Sequence, residues 1–182
     1  MKKTFLLFFS LLMGLSLYAQ DTKIALQDAT ASSAESGHDA TKAIDGDLST
    51  IWHSTWSSTA TKFPVTFIVT LKEEAHVDYV RYIPRTDAGN TNGNWENVYV
   101  SYCPTTTGND FISIGSYNLY GTSAKSDLWL TENGVTCGQI KFTIESGSGR
   151  FASAAEIEAY SVDNSYKDKF AQYFTDAVFS EL

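Results

Sequence analysis

The chain has 182 residues, with 13 Lys and Arg against 21 Asp and Glu, and a formal net charge of −8 at pH 7. This acidic balance gives little support for binding nucleic acid or an anionic membrane and favours neutral partners. Aromatic residues make up 14% of the chain, which suits a β protein with stiff contact residues at its surface.

The first twenty residues have the features of a secretory signal peptide. Lys2 and Lys3 precede an apolar run over residues 5–17, and the small residue Ala19 follows. The run is shorter than the roughly 20 residues that a bilayer span needs. We therefore predict that residues 1–20 are removed and that the product is secreted, as a periplasmic, cell-surface or extracellular protein without membrane insertion.

Residues 21–162 are predicted to form one β domain. Apolar and polar residues alternate from Lys23 to Ser161, most clearly where Val65, Phe67 and Val69 are predicted to face one side. The same period predicts strands over 77–83, 98–102, 111–114, 140–144 and 157–159. Loops rich in Gly, Asn and Ser separate them. Many short strands without interleaved helices predict an all-β fold, an antiparallel β-sandwich or jelly roll.

The two cysteines, Cys103 and Cys137, leave two alternatives open. Export permits a disulfide between them, but two lone cysteines are equally well explained as small buried apolar residues.

The C-terminal segment, residues 163–182, changes to helical periodicity, with Tyr166, Phe170, Tyr173 and Val178 on one stripe. We predict a short helical segment that is a linker or the start of a following domain. The alternative is a terminal helix packed on its own sandwich.

The loop Asp45-Gly46-Asp47, with a hydroxyl at Thr50, combines features that suit a hard cation. Calcium takes six to eight oxygen ligands, which a tight glycine-containing loop can present. The dipeptide Asp-Gly alone is more often an ordinary turn. Glu156 interrupts the apolar side of a predicted strand, where a carboxylate is costly unless it is paired or bound to metal.

Three separated blocks of sequence resemble the discoidin group, or coagulation factor 5/8 C-type domains, and within it family 32 of the carbohydrate-binding modules. The blocks are residues 42–56, which contain Ala-Ile-Asp-Gly-Asp and Trp-His, residues 77–85, which end on an arginine, and residues 151–157, which contain Ala-Ala-Glu-Ile. The blocks occur in the family order, and the resemblance covers residues from about 23 to 161. The resemblance implies a discoidin-type jelly roll.

The resemblance also implies a structural calcium ion and a sugar site at one end of the sandwich. The implied calcium ligands are Lys42, Asp45, Asp47, Thr50, Ala155 and Glu156, with Lys42 and Ala155 giving backbone oxygens. The implied sugar-binding residues are Glu35, His53, Trp56, Arg85, either Asn92 or Asn94, and Phe151.

Two of these assignments have local consequences. The alternation along residues 52 and 53 places Trp52 in the core and His53 on the outside. Arg85 has a second interpretation, because an exposed arginine commonly pairs with a nearby carboxylate such as Asp87.

The sequence carries no recognisable catalytic motif, so we predict no enzymatic activity for the module itself. The expected partner is a glycan that ends in galactose or N-acetylgalactosamine, and the expected role is to target an attached C-terminal catalytic domain. One alternative is a discoidin domain that adheres to protein or membrane. Another is the N-terminal part of a secreted glycan- or mucin-degrading enzyme, such as an enhancin-like zinc peptidase or a glycosidase.

Overall fold

Alternating apolar and polar residues build eleven strands in the computed structural model, which describes residues 21–57, 61–85 and 87–162. The strands are β1 (Thr22–Ile24), β2 (Leu26–Ala31), β3 (Trp52–His53), β4 (Val65–Val77), β5 (Tyr79–Ile83), β6 (Trp95–Cys103), β7 (Ile112–Asn118), β8 (Ser126–Trp129), β9 (Val135–Gly147), β10 (Ser153–Ala154) and β11 (Glu156–Ser161). The predicted signal peptide (residues 1–20) and helical segment (residues 163–182) lie outside the described residues.

The strands form two main sheets and a short ribbon. One sheet has five strands in the order β2-β4-β9-β6-β7, and the other has four in the order β1-β11-β5-β8. β3 and β10 form the two-stranded ribbon. Neighbouring strands pair in antiparallel fashion throughout. The predicted antiparallel β-sandwich is confirmed.

Side chains from both sheets make one apolar core. In β4, Val65, Phe67, Val69 and Leu71 are each 1% exposed or less, while the residues between them are half-buried, as the period of two predicts. Across the core, Tyr82 stacks on Trp95 with ring centroids 4.2 Å apart. The Tyr82 hydroxyl donates a hydrogen bond to the Ser153 carbonyl (3.0 Å) and so ties the core to the β3–β10 ribbon.

The structure corrects the predicted strand over residues 77–83. β4 ends at Val77 and β5 begins at Tyr79, with Asp78 between them. The Asp78 side chain is buried and accepts a hydrogen bond from the Val162 backbone N–H (2.7 Å). A buried carboxylate needs such a partner, and this one fixes the end of the last strand beside the break.

Helical structure in the described residues is limited to short 3₁₀ turns at Ala40–Ala43, Asp87–Gly89 and Ser148–Arg150. No helix in this part of the chain is long and apolar enough to cross a membrane. Cys103 and Cys137 are both buried free thiols. Burial raises the pKa of Cys137 to about 12, so its thiol is neutral at physiological pH.

Candidate functional site

The β3–β10 ribbon sends two neighbouring side chains in different directions. Trp52 is fully buried, packs on Phe67 with ring centroids 4.5 Å apart, and donates from Nε1 to the Ser33 carbonyl (3.0 Å). His53 pairs in register with Ser153 on β10 and turns to the other side of the ribbon. Trp52 is therefore a core residue, as the sequence predicts.

His53 lies deeper than the sequence predicts, since only 2% of the residue is exposed. Its ring lies between two aromatic rings. The Trp56 ring is nearly perpendicular to it with centroids 4.6 Å apart, and the Phe151 ring has its centroid 5.3 Å away. His53 therefore faces away from Trp52, but it is buried and not exposed, because its ring lies between two aromatic side chains.

The protonation of His53 follows from its surroundings. Nδ1 lies 2.7 Å from the Ser54 carbonyl, which can only accept, so Nδ1 carries the proton. Burial, and then the nearby positive charge of Arg85, lower the pKa of His53 below its usual value. The ring is therefore neutral at neutral pH, which leaves Nε2 without a proton.

Glu35 holds the loop that carries Trp56. Its Oε2 accepts hydrogen bonds from the backbone N–H groups of Trp56 (2.7 Å) and Ser57 (3.0 Å). Hydrogen bonds from Ser57 and then Trp56 lower the pKa of Glu35 to about 2. Trp56 is 45% exposed. In the structure Glu35 orients Trp56 and does not line the depression described below.

Phe151 is positioned by Ser54, the residue after β3. The Ser54 N–H donates to the Ala152 carbonyl (2.7 Å), and the Ala152 N–H donates to the Ser54 hydroxyl (2.9 Å). These reciprocal bonds hold residues 151–152 against β3, and Phe151 is thereby placed beside His53.

Arg85 follows β5 and forms a two-point ion pair with Asp87. Its Nε donates to Asp87 Oδ1 (2.7 Å), and its Nη2 donates to Asp87 Oδ2. The hydrogen bonding from Arg85, and then its charge, lower the pKa of Asp87. This pair uses two of the five guanidinium N–H groups, so the guanidinium keeps donors for a ligand while Asp87 fixes its plane. Both interpretations of Arg85 are thus compatible.

Of the two candidate asparagines, Asn92 lines the depression described below, whereas Asn94 is buried. Asn94 is fully buried, and its amide donates to the Thr122 carbonyl (3.0 Å). Asn92 is held in place because the Ser153 hydroxyl donates to its carbonyl (3.1 Å). Gly93 has φ of +90°, and a Cβ there would lie 2.6 Å from the Ser153 hydroxyl, so this close approach requires glycine.

These side chains surround a depression of about 370 Å³, lined by His53, Trp56, Arg85, Asn90, Asn92 and Phe151. The structure thus brings together five residues of the predicted sugar-binding set. Asn90 was missed, although the Asn-x-Asn spacing is a usable signal: Asn90 Oδ1 accepts from the Asn92 N–H (2.9 Å), as in an Asx turn. Apolar rings beside hydrogen-bonding groups suit a small polyol ring.

The predicted calcium loop gathers oxygen atoms around Thr50. The Thr50 hydroxyl lies 2.9 Å from an Asp45 carboxylate oxygen, 3.1 Å from the Asp47 carbonyl and 3.3 Å from the Lys42 carbonyl. Asp47 presents its carbonyl to this group, while its carboxylate accepts from the Ser49 N–H (2.9 Å).

Glu156 approaches the same loop from β11. Only 3% of it is exposed, and its Oε1 accepts from the Gly46 N–H (2.6 Å). Burial raises the pKa of Glu156 to about 6, because the charged form lacks solvation. The neighbouring Ala155 is fixed by a bond from its N–H to the Ile83 carbonyl (2.9 Å).

The donors around this loop are oxygen atoms, the ligand type that calcium takes. They do not include a group of three or more His, Cys, Asp or Glu side chains that could hold a metal ion, since the described residues contain no such group. The available donors are two carboxylates, a hydroxyl and backbone carbonyls, which are hard oxygen ligands. A cation among them would stabilise the charged form of the buried Glu156.

Fold and site together define a β-sandwich that carries a shallow, aromatic-lined binding depression on the loops beside its two-stranded ribbon. Residues 28–157 match the model of the F5/8 type C domain. The chain belongs to this family, and the discoidin resemblance is confirmed.

Solved structures show the same fold. The family 32 module of NanJ from Clostridium perfringens, in complex with galactose, is 25% identical, covers 78% of this chain and all of that module, and has a TM-score of 0.68. CpGH89CBM32-5 from Clostridium perfringens, in complex with GalNAc-beta-1,3-galactose, is 24% identical over 77% of this chain and 100% of its own, with a TM-score of 0.68.

Among curated proteins, the galactose oxidase of Gibberella zeae is 35% identical over 102 residues, which is 54% of this chain. The chain spans only 15% of the length of that relative.

Proposed function

We propose that residues 21–162 form a non-catalytic module that binds terminal galactose or N-acetylgalactosamine on glycans. The observation that carries this proposal is the depression in which Trp56 and Phe151 flank His53 beside Arg85 and Asn92. The galactose complex of the similar NanJ module supports the choice of sugar.

The chemistry of galactose matches this arrangement. Its axial 4-hydroxyl leaves one face of C–H groups clear for an aromatic ring such as Trp56. Nε2 of neutral His53 would accept from a hydroxyl, and Arg85 and Asn92 would donate to sugar oxygens. Hydrogen bonds to charged groups contribute roughly 1.5 to 3 kcal/mol each. An open site with few such bonds implies a dissociation constant of roughly 10 μM to 1 mM.

A structural calcium ion is the second part of the proposal. The ion would be held between the first loop and the last strand. Its ligands would be the carbonyls of Lys42, Asp47 and Ala155 and the side chains of Asp45, Thr50 and Glu156. The positive charge of the ion would compensate the negative charge of the buried Glu156 carboxylate. It would brace the loop and take no direct part in sugar binding.

The third part is that the module is exported and raises the local concentration of an attached catalytic domain at its glycan. The predicted signal peptide supports export. The galactose oxidase relative, of which the matched region is a small part, supports a place within a longer enzyme.

A glycan array probed with residues 21–182 tests the proposal. The parent should bind galactose- and N-acetylgalactosamine-terminated glycans, and Trp56→Ala should lose that binding. Trp129→Ala is the matched control, because Trp129 is 53% exposed on β8, outside the depression. A parent that binds no glycan but adheres to phosphatidylserine vesicles would overturn the proposal in favour of a discoidin-type adhesion domain.

A further inference from the structure

Ser153 lies where the β3–β10 ribbon meets the loop that carries Asn92. It pairs in register with His53 on β3 and is fully buried. Its N–H donates to the Gly93 carbonyl (2.7 Å), and its hydroxyl donates to the Asn92 carbonyl (3.1 Å). Its own carbonyl accepts from the Tyr82 hydroxyl (3.0 Å). One buried residue therefore joins the strand of His53, the loop of Asn92 and the core.

The contact between Ser153 and this loop leaves little freedom of position. A Cβ on Gly93 would lie 2.9 Å from the Ser153 nitrogen as well as against its hydroxyl. The Gly93 N–H also donates to the Ser148 carbonyl (2.7 Å), so the Gly93 backbone is held through both its N–H and its carbonyl. The Asn92 carbonyl, which precedes Gly93, is thereby directed at the Ser153 hydroxyl.

The donor available to the Asn92 carbonyl depends on the protonation of His53. Both residues line the depression. In the neutral His53 ring the proton is on Nδ1 and is donated to the Ser54 carbonyl, which leaves the Asn92 carbonyl to the Ser153 hydroxyl. Burial lowers the pKa of His53, whereas the Asn92 carbonyl raises it, because a carbonyl stabilises the protonated ring. Charged or titratable side chains near this ring are also His38, Arg85 and Asp87.

We propose that Ser153 is a positioning residue for sugar binding, which holds the Asn92 carbonyl by its hydroxyl and so leaves His53 Nε2 free to accept from a sugar hydroxyl. This inference rests on the proposed galactose site. Without the Ser153 hydroxyl, the carbonyl would lose its donor and would favour a proton on Nε2. That proton would turn Nε2 from an acceptor into a donor and would add a positive charge near Arg85.

Calorimetric titration with galactose and NMR titration of the His53 ring test this role in the parent, in Ser153→Ala and in two controls. Ser101→Ala is the matched control, because the buried Ser101 hydroxyl on β6 has no hydrogen-bond partner among the described residues. Tyr82→Phe is the stability control, since it leaves the Ser153 carbonyl without a donor but keeps the Ser153 hydroxyl. The chain has three histidines, so the His53 signals can be assigned by their absence in His53→Ala.

Ser153→Ala should bind galactose about 5-fold more weakly than the parent, as the loss of one hydrogen bond implies, and its His53 titration should move to higher pH. Ser101→Ala should change neither quantity. Tyr82→Phe should lower the melting temperature, while its affinity stays within about 2-fold of the parent because the pairing with β3 and the bond to Gly93 still hold the Ser153 backbone.

An unchanged affinity or an unchanged His53 titration in Ser153→Ala overturns the proposal, as does an equal loss of affinity in Tyr82→Phe. Ser153→Cys keeps a side chain of similar shape with only a weak donor, and the same two changes are expected of it if Ser153→Ala does not fold. A parent that binds no galactose overturns the proposed function instead. The His53 titration needs no sugar, and it then decides by itself whether Ser153 controls the protonation of His53.

Discussion

Glu156→Gln should change the stability of the module in opposite directions with and without calcium. Glu156 is 3% exposed and its pKa is raised to about 6 from an ordinary 4.5. A raised carboxyl pKa in the folded state means that its contribution to stability is full below about pH 4.5 and is lost as pH rises through 6. The rise of the pKa from 4.5 to about 6 lowers the free energy of unfolding by roughly 2 kcal/mol at pH 7.5, relative to a side chain that stays neutral.

In chelator at pH 7.5 the glutamine variant avoids this cost, because its amide is neutral. We expect it to unfold at a temperature about 4 to 8 °C above the parent, since roughly 2 kcal/mol shifts a domain of this size by that amount. At pH 5 the parent carboxyl is mostly protonated, and the difference should shrink.

Calcium should reverse the order at pH 7.5. The parent gains about 2.7 kcal/mol when free calcium is 100 times its dissociation constant. The variant should gain much less because it lacks the carboxylate ligand. Differential scanning calorimetry at both pH values, in chelator and in calcium, measures these four conditions.

Glu158→Gln is the matched control. Glu158 is on the same strand but pairs with Lys23 at 2.6 Å and lies outside the calcium loop. It should respond to calcium as the parent does. Equal melting temperatures of the parent and Glu156→Gln in chelator, with equal increases in calcium, would refute a metal site at Glu156.

Three further predictions concern the core, the Trp56 loop and the C-terminal segment. Trp52→Ala should destabilise the fold by about 3 to 5 kcal/mol in chemical denaturation, since it deletes a fully buried ring; a stable variant would contradict the core assignment. Glu35→Gln should weaken galactose binding several-fold in calorimetry with little change in melting temperature, because Trp56 and Ser57 lose a charged acceptor; unchanged affinity would contradict this. Deleting residues 164–182 should leave sugar affinity and melting temperature nearly unchanged, and a loss of about 10 °C would support the packed-helix alternative.

The sandwich was predictable because its strands follow a strong local rule. The alternation in β4 marks Val65, Phe67 and Val69 as core residues, and all three are buried. β8 was missed because its four residues, Ser126–Trp129, include only two large apolar side chains and show little periodicity. The break at Asp78 was missed because it depends on a partner at Val162, far along the chain.

The residue types of the site could be predicted from the sequence, but much of their arrangement in space could not. Trp56, Arg85 and Phe151 converge as the family resemblance implies. The choice between Asn92 and Asn94 depended on the contact of Gly93 with Ser153, a tertiary approach that sequence spacing does not encode. The burial of His53 likewise results from two rings contributed by separate loops.

Galactose binding by Trp56 and His53 on a stable sandwich is tested most directly by calorimetric titration of galactose into residues 21–182, paired with thermal melts. Trp56→Ala and His53→Ala should each abolish detectable binding while the protein stays folded, and Trp129→Ala should bind as the parent does. Normal galactose binding by a folded Trp56→Ala variant would contradict the account.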